Sequence, residues 1–241
     1  MDSPDVFEIP KFSNPKQIIC LDLYGTEIYD YEPIVEFENL KKLSLDGKRA
    51  GNISGISFLK HLESLKIRRL YYLGEVCLFE SLQSLVELDL TGGEISDLNV
   101  ISGLIKLKKL SLSENQITDL SPIKNISRLV ELNLDRNNIS DIFPISNLLR
   151  IESLILDNNQ VNDLVPLSNL AYLEKLSLRS NKISDIRPLS SINKLKSLDL
   201  SGNQLIYFTL KWLQFFTNLD SIKLAGNPIQ NIPKEIFDKA K

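Results

Sequence analysis

One pattern returns every 22 residues along most of this chain, and it leaves few folds open. Read as Leu-x-Leu-x-x-Asn-x-Ile, it stands at Leu110, Leu112, Asn115 and Ile117, then at Leu132, Leu134, Asn137 and Ile139. It returns at Leu154, Leu156, Asn159 and Val161, at Leu176, Leu178, Asn181 and Ile183, and at Leu198, Leu200, Asn203 and Leu205. Looser copies extend it upstream to Leu88, Leu65, Leu43 and Leu21, with one step of 23 between Leu65 and Leu88, and downstream by a step of 24 to Ile222, Leu224 and Asn227. Ten units result, over residues 18–232. Self-similarity at such a period means a stack of supersecondary units, each too small to bury its own apolar face.

The chemistry of one unit predicts a coil. Leu-x-Leu alternation is a short strand with one face buried. The Ile that follows the Asn points inward beyond a bend. Next comes Asp-Leu-x-Pro-Ile, as at Asp119, Leu120, Pro122 and Ile123. Asp captures nearby backbone donors and opens a turn, and Pro fixes φ for the first turn of a short helix or 3₁₀ segment. A last apolar pair, such as Ile126 and Leu129, closes the coil. A buried Asn amide donates and accepts, so Asn115, Asn137, Asn159, Asn181, Asn203 and Asn227 are expected to form a ladder serving their own and the adjoining coil. Thr26, Lys48, Leu70 and Gly93 hold that position in the first four coils, which are expected to be less regular.

These residues resemble the leucine-rich-repeat family in its 22-residue class. The run from Leu176 to Ile192 is similar to bacterial internalin repeats and to the leucine-rich regulatory subunit of type 1 protein phosphatase. The resemblance implies an α/β solenoid: a horseshoe with a concave parallel β-sheet and a convex side of short helices, 3₁₀ turns and loops. Residues 1–17 are read as an amino-terminal leader or cap, 18–232 as ten repeats and 233–241 as a carboxy-terminal cap. It implies a non-catalytic scaffold that binds a partner protein on its concave face. A phosphatase-regulatory subunit and an internalin-like surface adhesin trimmed of its signal are the alternatives.

Composition and residue inventory agree with a non-enzymatic reading. The net charge of −3 argues against a general nucleic-acid or membrane-surface binder, which is normally basic. No apolar run approaches 18 residues. The start, Met1 to Val6, has neither the basic nor the apolar region of a signal peptide, so the expected compartment is the cytoplasm, or the secreted or cell-surface space if a signal has been trimmed. Two cysteines, Cys20 and Cys77, suit a reducing compartment and stand two coils apart, roughly 10 Å, too far for a disulfide. Asn52, Asn125 and Asn138 begin Asn-x-Ser triplets that an Asn-, Ile- and Ser-rich repeat generates by itself. The one histidine, His61, is expected at the surface with no nucleophile beside it, so no catalytic set is assigned. The Asp column at 97, 119, 141, 163 and 185 supplies one carboxylate per coil, whereas calcium needs about six or more oxygens at one point. No metal and no cofactor are expected, and the chain is expected to be a monomer.

Function is then left to positions the coil does not use. The outward column between the two strand leucines reads Asp22, Ser44, Lys66, Asp89, Ser111, Asn133, Ile155, Ser177, Asp199 and Lys223. The next includes Tyr24, Asp46, Arg68, Asp135, Asp157 and Arg179. Lys42, Lys66, Arg68 and Arg69 are expected to make a basic spot on coils two and three. Ile155, ringed by Asn133, Asp135, Asp157 and Arg179, resembles an apolar anchor with a polar rim. The residues assigned to a partner are Tyr24, Lys66, Arg68, Arg69, Asp89, Asn133, Asp135, Ile155, Asp157 and Arg179. Glu87, Lys109 and Glu131 are expected to pair across strands in one column. The aromatic segment from Leu205 to Leu219, with Tyr207, Phe208, Trp212, Phe215 and Phe216, has spacing that suits an amphipathic helix filling the last coils.

Overall fold

The computed structural model describes residues 9, 11–48, 50, 53–71, 78–209, 212 and 214–230. Cys77, Asn52 and the carboxy-terminal cap lie outside the described residues. The Leu-x-Leu segments form ten short strands: β1 (Cys20–Leu23), β2 (Lys42–Asp46), β3 (Ser64–Arg68), β4 (Glu87–Asp89), β5 (Lys109–Ser111), β6 (Glu131–Asn133), β7 (Ser153–Ile155), β8 (Lys175–Ser177), β9 (Ser197–Asp199) and β10 (Ser221–Lys223). They make one parallel sheet in sequence order. The repeat sets the register residue for residue. Leu21 lies beside Leu43, and the row continues through Leu65, Leu88, Leu110, Leu132, Leu154, Leu176 and Leu198 to Ile222.

Opposite the sheet the described coils carry 3₁₀ turns, such as Ser121–Ile123, Phe143–Ile145, Val165–Leu167 and Arg187–Ser191, each with Pro near its start. The Asp column explains where they begin. Asp119, Asp141, Asp163 and Asp185 each accept a hydrogen bond from the backbone N–H two residues on, at 2.8–2.9 Å. This Asx turn bends the chain into the Pro-containing segment. Three or five residues suffice to cross the coil, so 3₁₀ geometry takes the place of a longer helix. One continuous apolar core runs along the stack, and the inward leucines and isoleucines of the central coils are fully buried.

The Asn ladder forms as its chemistry dictates. Asn159 Nδ2 donates to the carbonyls of Leu156 and Asp157 in its own coil and of Leu134 in the preceding one, at 2.9–3.1 Å. Its Oδ1 accepts the Ile139 N–H at 3.0 Å. Asn115, Asn137, Asn181 and Asn203 repeat this arrangement, and Asn227 keeps both links to the preceding coil. A second ladder runs beside it. From Asn115 to Asn203, the residue after each Asn donates its N–H to the carbonyl of the inward Ile or Val one coil back, as from Asn138 to Ile117 and from Gln160 to Ile139.

Where Asn is missing, the bend is handled locally. Thr26 Oγ1 donates at 2.7 Å to Leu23 O within its own coil. Gly93 fits because a Cβ there would overlap the Leu70 carbonyl oxygen. The aromatic segment does not make one helix. Residues 205–209 have no regular structure, Trp212 is helical, and residues 214–219 run through turns, while 210, 211 and 213 lie outside the described residues. Phe208 and Phe216 are buried, Trp212 packs partly against the core beside Phe208, and Tyr207 and Phe215 stay exposed.

Asn159→Ala removes the bridge between two coils and leaves a buried N–H unpaired, so it is expected to lower stability in urea by about 2–4 kcal/mol. Asn138→Ala, at an exposed position just past the same bend one coil earlier, is expected to cost under about 1 kcal/mol in the same titration.

Candidate functional site

Strand alternation leaves one residue between each pair of buried leucines facing out, and neighbouring rows stand about 4.8 Å apart. The assigned residues fall into two groups on this face. Tyr24, Lys66, Arg68, Arg69 and Asp89 lie over β1–β4, and Asn133, Asp135, Ile155, Asp157 and Arg179 lie over β6–β8.

The first group is not the free basic spot expected from sequence, because Lys66, Arg68 and Arg69 each meet a carboxylate one coil away. Lys66 Nζ stands 3.2 Å from Glu87 Oε1, and Arg68 NH2 stands 3.2 Å from Asp89 Oδ2. Arg69 pairs with Asp46, its Nε 3.1 Å from Oδ1. The guanidinium groups of Arg68 and Arg69 also lie over the exposed Tyr24 ring, 5.7 and 5.9 Å from its centroid. Burial pushes the Glu87 carboxyl up, but hydrogen bonds from Ser64 and Lys66 outweigh it and hold the group below its usual range. Asp89 is 9% exposed and also accepts from Thr91, so little of it remains for a partner. Of the column Glu87, Lys109 and Glu131, the latter two pair at 2.6 Å, and Glu87 turns toward Lys66.

The second group is differently balanced. Ile155 is half-buried among polar neighbours, and with Asn133, Glu131, Ser153 and Lys175 it lines a shallow depression of about 310 Å³ across β4–β8. Asp157 follows two residues on, and its Oδ1 accepts both the Ser177 hydroxyl at 2.6 Å and the Arg179 N–H at 2.8 Å. Burial pushes the Asp157 carboxyl up; these two hydrogen bonds oppose the rise, and the charges of Asp135 and Asp199 add to it. Asp199 shows the opposite balance: burial pushes it up, but hydrogen bonds from Ser201 and Lys223 overcome that and lower it. Asp135 accepts from Asn158 Nδ2 at 2.8 Å.

A column with no motif of its own borders this face. Gly25, Gly92, Gly202 and Gly226 adopt positive φ, and so do Arg69, Glu114, Arg136, Asn158 and Ser180 at the same point of their coils. The backbone turns left-handed there to aim the next residue, usually the ladder Asn, into the core. The only sequence signal for it is its glycines, Gly25, Gly92, Gly202 and Gly226. Left-handed backbone is strained for residues other than glycine, and three of these side chains reach back one coil: Arg69 to Asp46, Arg136 to Glu114 and Asn158 to Asp135.

No group of three or more His, Cys, Asp or Glu side chains is placed to hold a metal among the described residues. His61 is exposed on the flank leading into β3, and Cys20 is an exposed free thiol in the edge strand.

Asp157 and Asp199 have opposite stability signatures. A raised carboxyl pKa means that the folded state binds its proton more tightly than the unfolded chain, so stability falls as pH rises through that range. A lowered one, as at Asp199, means that stability falls as pH drops. Asp157→Asn keeps an oxygen for both hydrogen bonds and removes the charge, so it is expected to raise the thermal midpoint at pH 7, whereas Asp199→Asn lowers it. Scanning calorimetry of the two variants checks both signs.

Residues 171–229 match the family model described as leucine rich repeat, and residues 105–147 match leucine rich repeats in two copies. Among solved structures, internalin C2 (inlC2) from Listeria monocytogenes is 32% identical with a TM-score of 0.69, the match covering 87% of this chain and 82% of that one. An internalin (inlF) from the same organism is 28% identical with a TM-score of 0.73, covering 89% and 70%. A leucine-rich-repeat protein of Leptospira interrogans shares the fold at 22% identity, with a TM-score of 0.53 and coverage of 90% and 67%. No curated protein matches the sequence. The buried Leu-x-Leu rows, the Asn ladder and these likenesses lead to one conclusion: the chain belongs to the leucine-rich-repeat family and is structurally similar to the internalins of Listeria.

Proposed function

We propose that this chain is a non-catalytic scaffold that holds a partner protein against its sheet face, centred on Ile155. Repeat domains of this family are typical protein-binding scaffolds. The observation that carries the reading is Ile155 itself, an apolar residue at the floor of a depression in an otherwise polar column. Desolvated apolar anchors ringed by polar groups dominate binding energy in protein interfaces. Asn133, Asp135, Asp157 and Arg179 form the rim; Tyr24, Lys66, Arg68, Arg69 and Asp89 form a second, self-paired contact region nearer the amino terminus. The chain works as a monomer in the cytoplasm. A second reading, an internalin-like protein displayed outside the cell, draws on the 32% identity to internalin C2; fractionation of cells expressing the native gene separates the two.

The test is differential capture from native lysate with wild-type chain, Ile155→Asp on the sheet face and Phe143→Asp on the opposite side, where Phe143 is 69% exposed. A protein held by wild type and Phe143→Asp, and reduced about tenfold or more by Ile155→Asp, is the expected result. A protein lost only with Phe143→Asp overturns the sheet-face assignment.

A further inference from the structure

Charge on the sheet face is neutralised within the chain from β3 to β6 and again at β9 and β10. Lys66 meets Glu87, Arg68 meets Asp89, Lys109 meets Glu131 and Lys223 meets Asp199. The interval between, around Ile155, breaks this rule. On coils six and seven, Asp157 has no cation beside it among the described residues, and the one near Asp135 is Arg136, 3.7 Å away and shared with Glu114. On coil eight, Lys175 and Arg179 are exposed, and neither pairs with a carboxylate among the described residues. Within β3–β10 the face therefore carries unmet negative charge on coils six and seven and unmet positive charge on coil eight, with the apolar floor at Ile155 beside that boundary.

The register gives this division a scale. Asn133, Ile155 and Ser177 are direct neighbours across β6, β7 and β8. One step between coils is about 4.8 Å and two residues along a strand about 6.6 Å. Asp135, Asp157 and Arg179 therefore line one side of the Asn133–Ile155–Ser177 row and Lys175 the other, all within the reach of one short peptide segment over Ile155. Arg179 does not close the gap itself: its backbone N–H serves Asp157, while its guanidinium is unpaired among the described residues. Asp157 is also held in place by the Ser177 hydroxyl, so the carboxylate is fixed before any partner arrives. A partner of matching polarity supplies both missing counter-charges at once and covers the floor, whereas a uniformly charged partner leaves one flank repelled.

Resting on the sheet-face reading above, we propose that the partner presents a dipolar epitope. It places an apolar side chain on Ile155, a Lys or Arg against Asp135 and Asp157, and an Asp or Glu against Lys175 and Arg179. The raised Asp157 carboxyl accords with this: burial raises it first, the charges of Asp135 and Asp199 add to the rise, and only hydrogen bonds from Ser177 and Arg179 oppose it.

The experiment uses a displayed library of random nonapeptides, selected on the full chain and counter-selected on Ile155→Asp. The expected winners carry an apolar residue flanked within two or three positions by a basic residue on one side and an acidic one on the other. Binding of a winning peptide, followed by fluorescence anisotropy, is expected to weaken about tenfold in Asp135→Asn/Asp157→Asn and in Lys175→Gln/Arg179→Gln. In the wild-type chain it is expected to weaken as salt is raised from about 0.1 to about 0.5 M, and it is expected to be unchanged in Phe143→Asp. Winners that depend on Ile155 but are all basic, all acidic or uncharged leave the sheet-face reading standing and overturn the dipolar epitope, as does wild-type affinity in both double variants. A selection in which no peptide discriminates against Ile155→Asp overturns both.

Discussion

The side-chain amide of the ladder asparagine is the interaction on which this architecture depends. A coil of this kind must turn sharply after its strand, and that turn strands backbone groups inside the protein. Buried and unpaired, each costs about 1–3 kcal/mol. The amide answers them from two coils at once: Asn159 caps carbonyls of its own coil and of the one before, and also accepts an N–H from the preceding coil. A hydroxyl at the same point has one proton to donate where the amide has two, and Thr26, in the first coil, gives it to Leu23 O. The amide thus converts hydrophobic stacking, which is indifferent to small slips, into a fixed step. Stability in such stacks is a sum of unit and nearest-neighbour contributions, and the ladder is where the polar part of each neighbour contribution sits.

That fixed step governs the functional face. With every Leu-x-Leu pair aligned, outward residues fall into straight columns, and a residue's neighbours are those one coil away. Opposite charges therefore pair, and like charges repel, in strict one-coil relations. Over β3–β6 the acids and bases satisfy one another in this way, and around Ile155 they do not. The left-handed column follows the same one-coil logic at the rim. Glycine fits such a position without strain, as at Gly202 and Gly226, yet Arg136 and Asn158 occupy it and hold Glu114 and Asp135 across a coil boundary.

The repeat makes the sheet, its register, the inward apolar rows and the role of the Asn and Asp columns legible in the sequence, because each follows from a side chain's position within one unit. What is not legible depends on relations between units. Lys66, Arg68 and Arg69 read as a basic spot because columns show which residues share a face, not which opposite charge each long side chain reaches. Arg69, for one, reaches back across a coil boundary to Asp46. The aromatic segment misleads for a related reason. Its spacing suits a helix, but the longer interval before Ile222 lets Phe208 and Phe216 enter the core from irregular backbone and turns. The left-handed column escapes a sequence reading because only its glycines signal it, and Arg69, Glu114, Arg136, Asn158 and Ser180 do not.

The most direct test of the ladder is native-state hydrogen exchange at the backbone amides of Ile117, Ile139, Val161 and Ile183. These residues lie outside the strands and 3₁₀ turns, and each donates its N–H to the Asn Oδ1 of the following coil. Protection equal to that of the strand amides at Leu132, Leu154 and Leu176 is the predicted result, because both sets open only when coils separate. Exchange at the rate of exposed loop amides such as that of Ser140, with the strand amides still protected, would contradict the ladder's role in fixing the stack.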